Sequence, residues 1–306
     1  MKQTAARLAN SMNLRKTWLL HVMMLPSVLL LLIYSYLPMV GVVIAFQNYK
    51  FYKGIFHSEW VGLAQFHLMF VDDRVVQIIV NTLIISVAKM VCGWIVPLVF
   101  ALLLNEVRLA FVKRTVQTLI YLPHFLSWVI LAGIMTDMLS RSGIVNQGLK
   151  ALGLPTVFFL GDGDWFRFIL VISDIWKDFG WGTIIYLAAL TAVNPELYES
   201  AEIDGANRWQ QTWSVTIPAI IPIGIIVATL SLGNILNGGF DQVYNLLNPL
   251  VVAKGEIIDT YVFDTGLLGG SFSFATAVGL FKSVVSFALI AITYKMATKY
   301  ANYRIF

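Results

Sequence analysis

Apolar runs separated by short polar interludes recur along the whole of this 306-residue chain. A helix that crosses a bilayer needs roughly 20 residues at about 1.5 Å of rise each. Six runs are long and apolar enough, near 18–46, 76–104, 115–139, 166–190, 217–237 and 275–297. The pattern predicts an all-α, polytopic membrane chain: one domain over 1–306, with six crossing helices and a basic tail at 1–17. Pro26, Pro38, Pro97 and Pro123 fall within or near the ends of these spans, and membrane helices tolerate proline where neighbours satisfy the freed carbonyls. The first run follows Lys2, Arg7, Arg15 and Lys16, the flank of a signal peptide, but no small-residue cleavage pattern comes after it. Its apolar character continues past Tyr36, which predicts a retained anchor helix.

One polar interlude, Asn194–Pro218, has a distinct local grammar. Asn194 can N-cap a helix whose first residue is Pro195, with Glu196 and Glu199 where the positive end of the helix dipole favours acids. Gly205 ends that helix as a left-handed cap. A second short helix is expected from Asn207 to about Val215, before Ile217-Pro218 opens the next span. Leu197, Ser200, Ala201 and Asp204 share one side of the first helix at i, i+3, i+4, i+7 spacing, and the small Ser200 and Ala201 let a neighbour approach closely.

Lys and Arg set the orientation. With the N-terminus inside, the inner segments hold eleven: Lys2, Arg7, Arg15, Lys16, Arg108, Lys113, Arg114, Arg208, Lys295, Lys299 and Arg304. The outer segments hold seven: Lys50, Lys53, Arg74, Arg141, Lys150, Arg167 and Lys254. The excess predicts an N-in, C-in topology and puts Asn194–Pro218 in the cytoplasm. That interlude carries Glu196, Glu199, Glu202 and Asp204 against Arg208 alone. A helix lying on the bilayer would have such acids repelled by anionic headgroups. An acidic helix with small residues on one side is better suited to docking in a protein groove.

Composition agrees with a membrane chain, at 58% hydrophobic, 12% charged and mean hydropathy +0.76; soluble domains carry roughly 25% charged residues. The net charge of +4 is what basic cytoplasmic flanks produce, and no Arg-rich or aromatic-basic cluster points to nucleic acid. Cys92 is the single cysteine and lies in an apolar run, so no intramolecular disulfide and no cysteine-based metal site is expected. His21, His57, His67 and His124 are scattered without metal spacing, and neither a Ser/His/Asp or Cys/His set nor a phosphate-cradling glycine loop is present. Catalytic residues, a metal and a bound cofactor are therefore not expected, and the chain has no means of hydrolysing ATP alone.

Some charges fall inside the spans: Lys89 in the second, Asp174, Lys177 and Asp178 in the fourth, Lys282 in the sixth. At that depth each costs several kcal/mol unless paired or watered, so they face the bundle or a cavity. Lys89 and Lys282 either neutralise Asp174 or Asp178 as structural pairs, or some of these groups line a water-filled path. Trp176 neighbours the acids and offers a ring face to a sugar. Ser231, Asn234 and Asn237 recur every three residues at the end of the fifth span, a polar set that needs partners other than lipid. The stretch from Gly238 to Phe274 reads as an outer loop, available to an extracytoplasmic partner.

The spacing Glu199-Ser200-Ala201, three residues, Gly205, nine residues, Val215-Thr216-Ile217-Pro218 resembles the EAA loop of permease subunits of bacterial binding-protein-dependent ABC importers. The usual form is Glu-Ala-Ala, three residues, Gly, nine residues, Ile-X-Leu-Pro; Ser200, Val215 and Ile217 are mild departures. Ile175-Trp176-Lys177, Gly180, Tyr186 to Leu190 and Pro195 to Tyr198 look like the carbohydrate-uptake branch, and the likeness covers about residues 70–300. Tyr36 to Phe46, Lys53 to Ile55 and Trp60 to Leu63 are similar to permeases for oligosaccharides and polysaccharide fragments of the aldouronate and alginate type.

The resemblance implies a type I importer permease fold in the bacterial cytoplasmic (inner) membrane. Its implied partners are a dimer of ATP-binding subunits that holds ATP and Mg, a second, related but non-identical permease, an extracytoplasmic solute-binding protein and an oligosaccharide. It also implies that 194–218 is the coupling loop, with Leu197, Glu199, Ser200, Ala201, Asp204, Gly205 and Ala206 toward the ATPase and Glu199 pairing with a basic residue there. The residues alone leave open a secondary transporter or channel, which also buries Lys and Asp, and, within the family, an importer of another small solute.

Overall fold

The computed structural model describes the backbone of residues 14–233 and 235–300, and the side chains of 17–233 and 235–295. Asn234, most of the basic tail and Arg304 lie outside the described residues. Helix α1 (Leu14–Leu31) runs through a π turn (Leu32–Tyr36) into a 3-10 stretch (Leu37–Phe46). Pro38 accounts for the change: its ring meets the carbonyl four residues earlier, and the wider turn around Tyr34, with Leu37 N–H donating to Leu32 O, relieves that clash. Most side chains from Trp18 to Val43 stay exposed; only the last ten residues of the run lie against the bundle, chiefly on its final helix.

A two-residue antiparallel pair, Gln47–Asn48 with Glu59–Trp60, closes the following loop. Helix α2 (Ala64–Val71) then leads into α3 (Asp73–Glu106), which Asp72 caps by accepting from Arg74 N–H at 2.9 Å. The third span does not form as one helix. Helix α4 (Ala110–Tyr121) gives way at Pro123 to a 3-10 turn (Leu122–Phe125), and α5 (Trp128–Leu139) restarts with Ser127 as N-cap, followed by α6 (Ile144–Ala151). Helix α7 (Gly163–Thr191) has 29 residues and is about 44 Å long. Its charges keep it out of the five helices that are long and apolar enough to cross a membrane among the described residues; with it, the bundle reaches the expected six.

Helices α8 (Pro195–Ile203) and α9 (Arg208–Gln211) build the polar interlude, and α9 continues through a second π turn (Thr212–Thr216) into α10 (Ile217–Leu232). The fifth span therefore begins at Arg208 and ends at Leu232, earlier at both ends than the expected 217–237. Pro218 stands two residues past this π turn, as Pro38 does past the first, and Ile217 N–H donates to Thr212 O. Gly239, at φ +88°, then turns the chain through a conformation that favours glycine.

The segment expected as an outer loop is folded and buried. Helices α11 (Phe240–Leu246), α12 (Val252–Gly255) and α13 (Ile258–Phe263) turn back into the bundle before α14 (Phe272–Tyr300). Gln242, Val243, Val251, Ile257, Ile258 and Thr260 are at most 1% exposed.

Three core clusters hold these parts together. Ile85, Phe166, Leu170, Val243, Leu246 and Ile257 fasten the returning segment to α3 and α7. Met69, Val75, Ile78, Ile258, Tyr261 and Val278 join α2, α3, α13 and α14. Ala101, Tyr186, Leu190 and Ile220 join α3, α7 and α10 next to the polar interlude. Helices α3 and α7 lie along each other more extensively than any other two elements. Gly180 brings α7 close to α4, where a Cβ would stand 2.0 Å from the Ile120 carbonyl oxygen. Among the described residues the fold is all-α apart from one short strand pair.

Candidate functional site

The interlude forms as its residues dictate. Asn194 caps α8, its side-chain oxygen accepting from Glu196 N–H at 3.1 Å, and Pro195 takes the first helical position. Gly205, at φ +77°, follows the last turn, and Ala206 N–H donates to Ala201 O at 2.9 Å, the six-to-one bond of a glycine cap. Asn207 and Gln210 cap α9 reciprocally at 2.8 and 2.9 Å. The second helix is shorter than expected, because the π turn begins at Thr212.

Leu197, Glu199, Ser200, Asp204 and Gly205 are exposed, while Ala201 and Ala206 are half-buried. The Ser200 hydroxyl donates to Glu196 O at 2.9 Å. Among the described residues no other element runs alongside α8, and Ile203 is 88% exposed. A helix capped at both ends keeps its shape with little packing.

Within the bundle, the Lys89 ammonium directs its three donors to three acceptors: Asp174 Oδ1 at 3.0 Å, Gly238 O at 2.8 Å and Gln242 Oε1. Gln242 in turn donates to Leu170 O and Ser173 Oγ, both at 2.8 Å. Gly239 makes room for this knot, since a Cβ there would stand 2.9 Å from Lys89 Nζ. Lys89 and Asp174 thus form the expected pair. Lys282 does not pair with Asp174 or Asp178; it meets Asp259 at 2.5 Å, because α13 returns into the bundle beside α14.

Asp178 joins a different cluster at the break between α4 and α5. Its Oδ1 is 2.7 Å from His124 Nδ1, and the His124 ring stacks on Trp181 with centroids 4.7 Å apart. Lys177 donates to the His124 backbone carbonyl at 2.6 Å, satisfying an acceptor that the broken helix leaves free. Trp176 is about half exposed and belongs to neither cluster.

Asn237 lines three cavities. One of about 270 Å³ is bounded by Ser86, Lys89, Asp174, Ser231 and Gly239. The second, about 320 Å³, has Gly233, Lys282, Ser283 and Ser286. The third, about 750 Å³, has Phe240, Asp259, Phe263, Phe272 and Thr276. Of the residues proposed for a path, Lys89, Asp174, Ser231, Asn237 and Lys282 come together at these cavities; Lys177 and Asp178 sit at the helix break, and Asn234 lies outside the described residues. Gln242 belongs to the polar stretch after the fifth span that reads as outer loop, and neither His124 nor Asp259 is singled out by the sequence for this role. A signal existed for the first: Phe240, Val243 and Leu246 at every third position mark Gln242 as part of a helix rather than a loop.

At the opposite end of the bundle from α8, Arg74 grips the buried Glu256 with two nitrogens, Nε at 3.3 Å and a terminal nitrogen at 3.0 Å. Burial pushes the Glu256 carboxyl above its ordinary range, and Arg74 partly offsets this. Arg74→Met is expected to lower stability by about 2 kcal/mol near neutral pH, the guanidinium being half in water. The penalty shrinks at acidic pH, once Glu256, titrating above the ordinary carboxylate range, is protonated and no longer needs a cation. Thermal unfolding of the parent and the variant at both pH values measures it; an equal penalty at both would rule out the charge as its source.

The family model described as "Binding-protein-dependent transport system inner membrane component" matches residues 89–299. The "Polygalacturonan/rhamnogalacturonan transport system permease protein YteP" of Bacillus subtilis (strain 168) is 43% identical over 284 residues, which is 92% of this chain and 88% of that protein. Protein LplB of the same organism is 44% identical over 277 residues, 90% of this chain and 87% of its own. The crystal structure of a bacterial ABC transporter involved in the import of the acidic polysaccharide alginate matches with a TM-score of 0.88 at 37% identity, covering 96% of this chain and 99% of the other. A bacterial alginate ABC transporter in complex with an alginate pentasaccharide-bound periplasmic protein matches with a TM-score of 0.87 at 38% identity, covering 94% and 96%. With the capped interlude at 194–218 and the six-helix bundle around it, these matches place the chain: it belongs to the family of inner membrane components of binding-protein-dependent transport systems, as a multi-pass permease.

Proposed function

We propose that this chain is one permease subunit of an ATP-driven importer that takes an oligosaccharide from an extracytoplasmic solute-binding protein and passes it to the cytoplasm. The exposure of α8 carries the proposal: a helix fixed at both ends, acidic and largely exposed is shaped to sit in a groove of an ATP-binding subunit. A dimer of such subunits binds ATP and Mg, and this chain transmits their closure. A second, related permease completes the membrane part.

The sugar class rests on the named substrates of the relatives, acidic polysaccharides among them. The cavities around Asn237 are compatible with it, offering carboxylate, amide and hydroxyl groups beside phenylalanine rings. Reconstitution tests the reading. Vesicles holding the permease pair and the ATPase should take up oligogalacturonides or alginate oligomers only with ATP inside and binding protein outside. Uptake that needs neither and stops with an ionophore would make the chain a secondary transporter.

A further inference from the structure

We infer that the hydrogen bond between Tyr198 and Thr216 is the joint through which movement of α8 reaches the crossing helix α10. The inference rests on the coupling reading above. Tyr198 is the one side chain in the middle of α8 that turns inward with Ala201, between the exposed Leu197 and Glu199. Its hydroxyl lies 3.0 Å from Thr216 Oγ1. The Thr216 hydroxyl also reaches Gln211 O at 3.4 Å. The Gln211 amide then donates to Ala206 O at 3.0 Å. Thr216 and Gln211 are each 4% exposed. The result is a closed ring of polar contacts joining α8, the glycine turn and the π turn that opens α10.

Two features make this ring the mechanical link. The covalent route from α8 to α10 passes through Gly205, the freest kind of residue, so a push along the chain alone would bend the turn. The lateral route is hollow: a cavity of about 210 Å³, bounded by Glu106, Arg108, Tyr198, Arg208 and Thr216, separates α8 from the end of α3. Tyr198 spans the edge of that cavity and reaches a buried residue of the π turn that opens α10. Tyr198 and Thr216 are therefore positioning residues, which act on the path without touching the sugar.

The test uses the whole importer in proteoliposomes, with Tyr198→Phe, Thr216→Val and Thr216→Ser, each checked for recovery of the intact complex. Tyr198→Phe keeps the ring and Thr216→Val keeps the shape, so folding is preserved while the bond is lost. Each should slow import about three- to tenfold, the factor that one hydrogen bond supplies, while ATP hydrolysis stays within about twofold of the parent. The double variant should be no worse than the poorer single variant, and Thr216→Ser should import normally. Equal losses of import and hydrolysis, additive losses in the double variant, or normal import in Tyr198→Phe would each overturn the joint. Gly205→Val serves as the control: normal import there undermines the coupling reading itself, whereas slow import there beside normal import in Tyr198→Phe removes only the joint.

Discussion

Gly205→Val is expected to give a permease that inserts in normal amount and keeps its ATPase, yet imports sugar at least about tenfold more slowly. An L residue in the left-handed region costs about 1–2 kcal/mol, and a β-branched one is a still poorer fit, so the turn after α8 would leave its present geometry. A Cβ at 205 meets nothing within 4 Å, which limits the damage to the backbone of the interlude and spares the bundle. Roughly 1.4 kcal/mol is a factor of ten in the population of the correctly shaped turn, and every transport cycle depends on that shape. Gly205→Asn should be milder, since asparagine visits this region more readily. Import and ATP hydrolysis measured on the same vesicles decide the matter; normal import by Gly205→Val at full abundance would sink the assignment of 194–218 as the lever.

Lys89→Met should be the most damaging change within the bundle. It leaves Asp174 without its cation and strips Gln242 Oε1 and Gly238 O of their donor. Breaking a buried pair from one side costs about 3–5 kcal/mol; partial exposure of Asp174, at 27%, places the loss toward the lower end. The double variant Lys89→Met, Asp174→Asn removes the orphaned charge and should regain part of the stability. Thermal unfolding in detergent, with protease resistance in membranes as a second measure, follows both. If Lys89→Met melted with the parent, the ammonium would not be holding the returning segment in place.

The features legible in the sequence share a local cause. Asn194, Pro195 and Gly205 each act on the backbone within four residues, so the first helix of the interlude and its turn could be read from spacing alone. The apolar runs likewise marked the crossing helices, five of which are long and apolar enough among the described residues, with α7 as the charged sixth. What escaped was set by distant contacts or by proline geometry. Pro123 breaks the third span because Leu126 and Ser127 leave helical geometry and Ser127 starts a new cap, an outcome that tolerance of proline in membranes does not foresee. The stretch after Gly238 looked like a loop because its glycines and Asn248-Pro249 punctuate it. Its burial depends on α3 and α7, which carry the acceptors and donors that its polar groups need. For the same reason Lys282 was matched with Asp174 or Asp178, when its partner Asp259 lay in the stretch taken as exposed.

The Lys89 knot also sets a clock during synthesis. One of its acceptors, Gln242, lies 153 residues further along the chain, and ribosomes add about 5–20 residues per second. Helix α3 therefore waits roughly 8–30 s, beyond the arrival of α7, before its ammonium has every partner it will keep. During that interval α7 can already pack along the helix and offer Asp174, but the Gly238 and Gln242 acceptors are still missing. The arrival of α11 closes that window, so a chain cut before α11 would lack two of the three acceptors of the Lys89 ammonium.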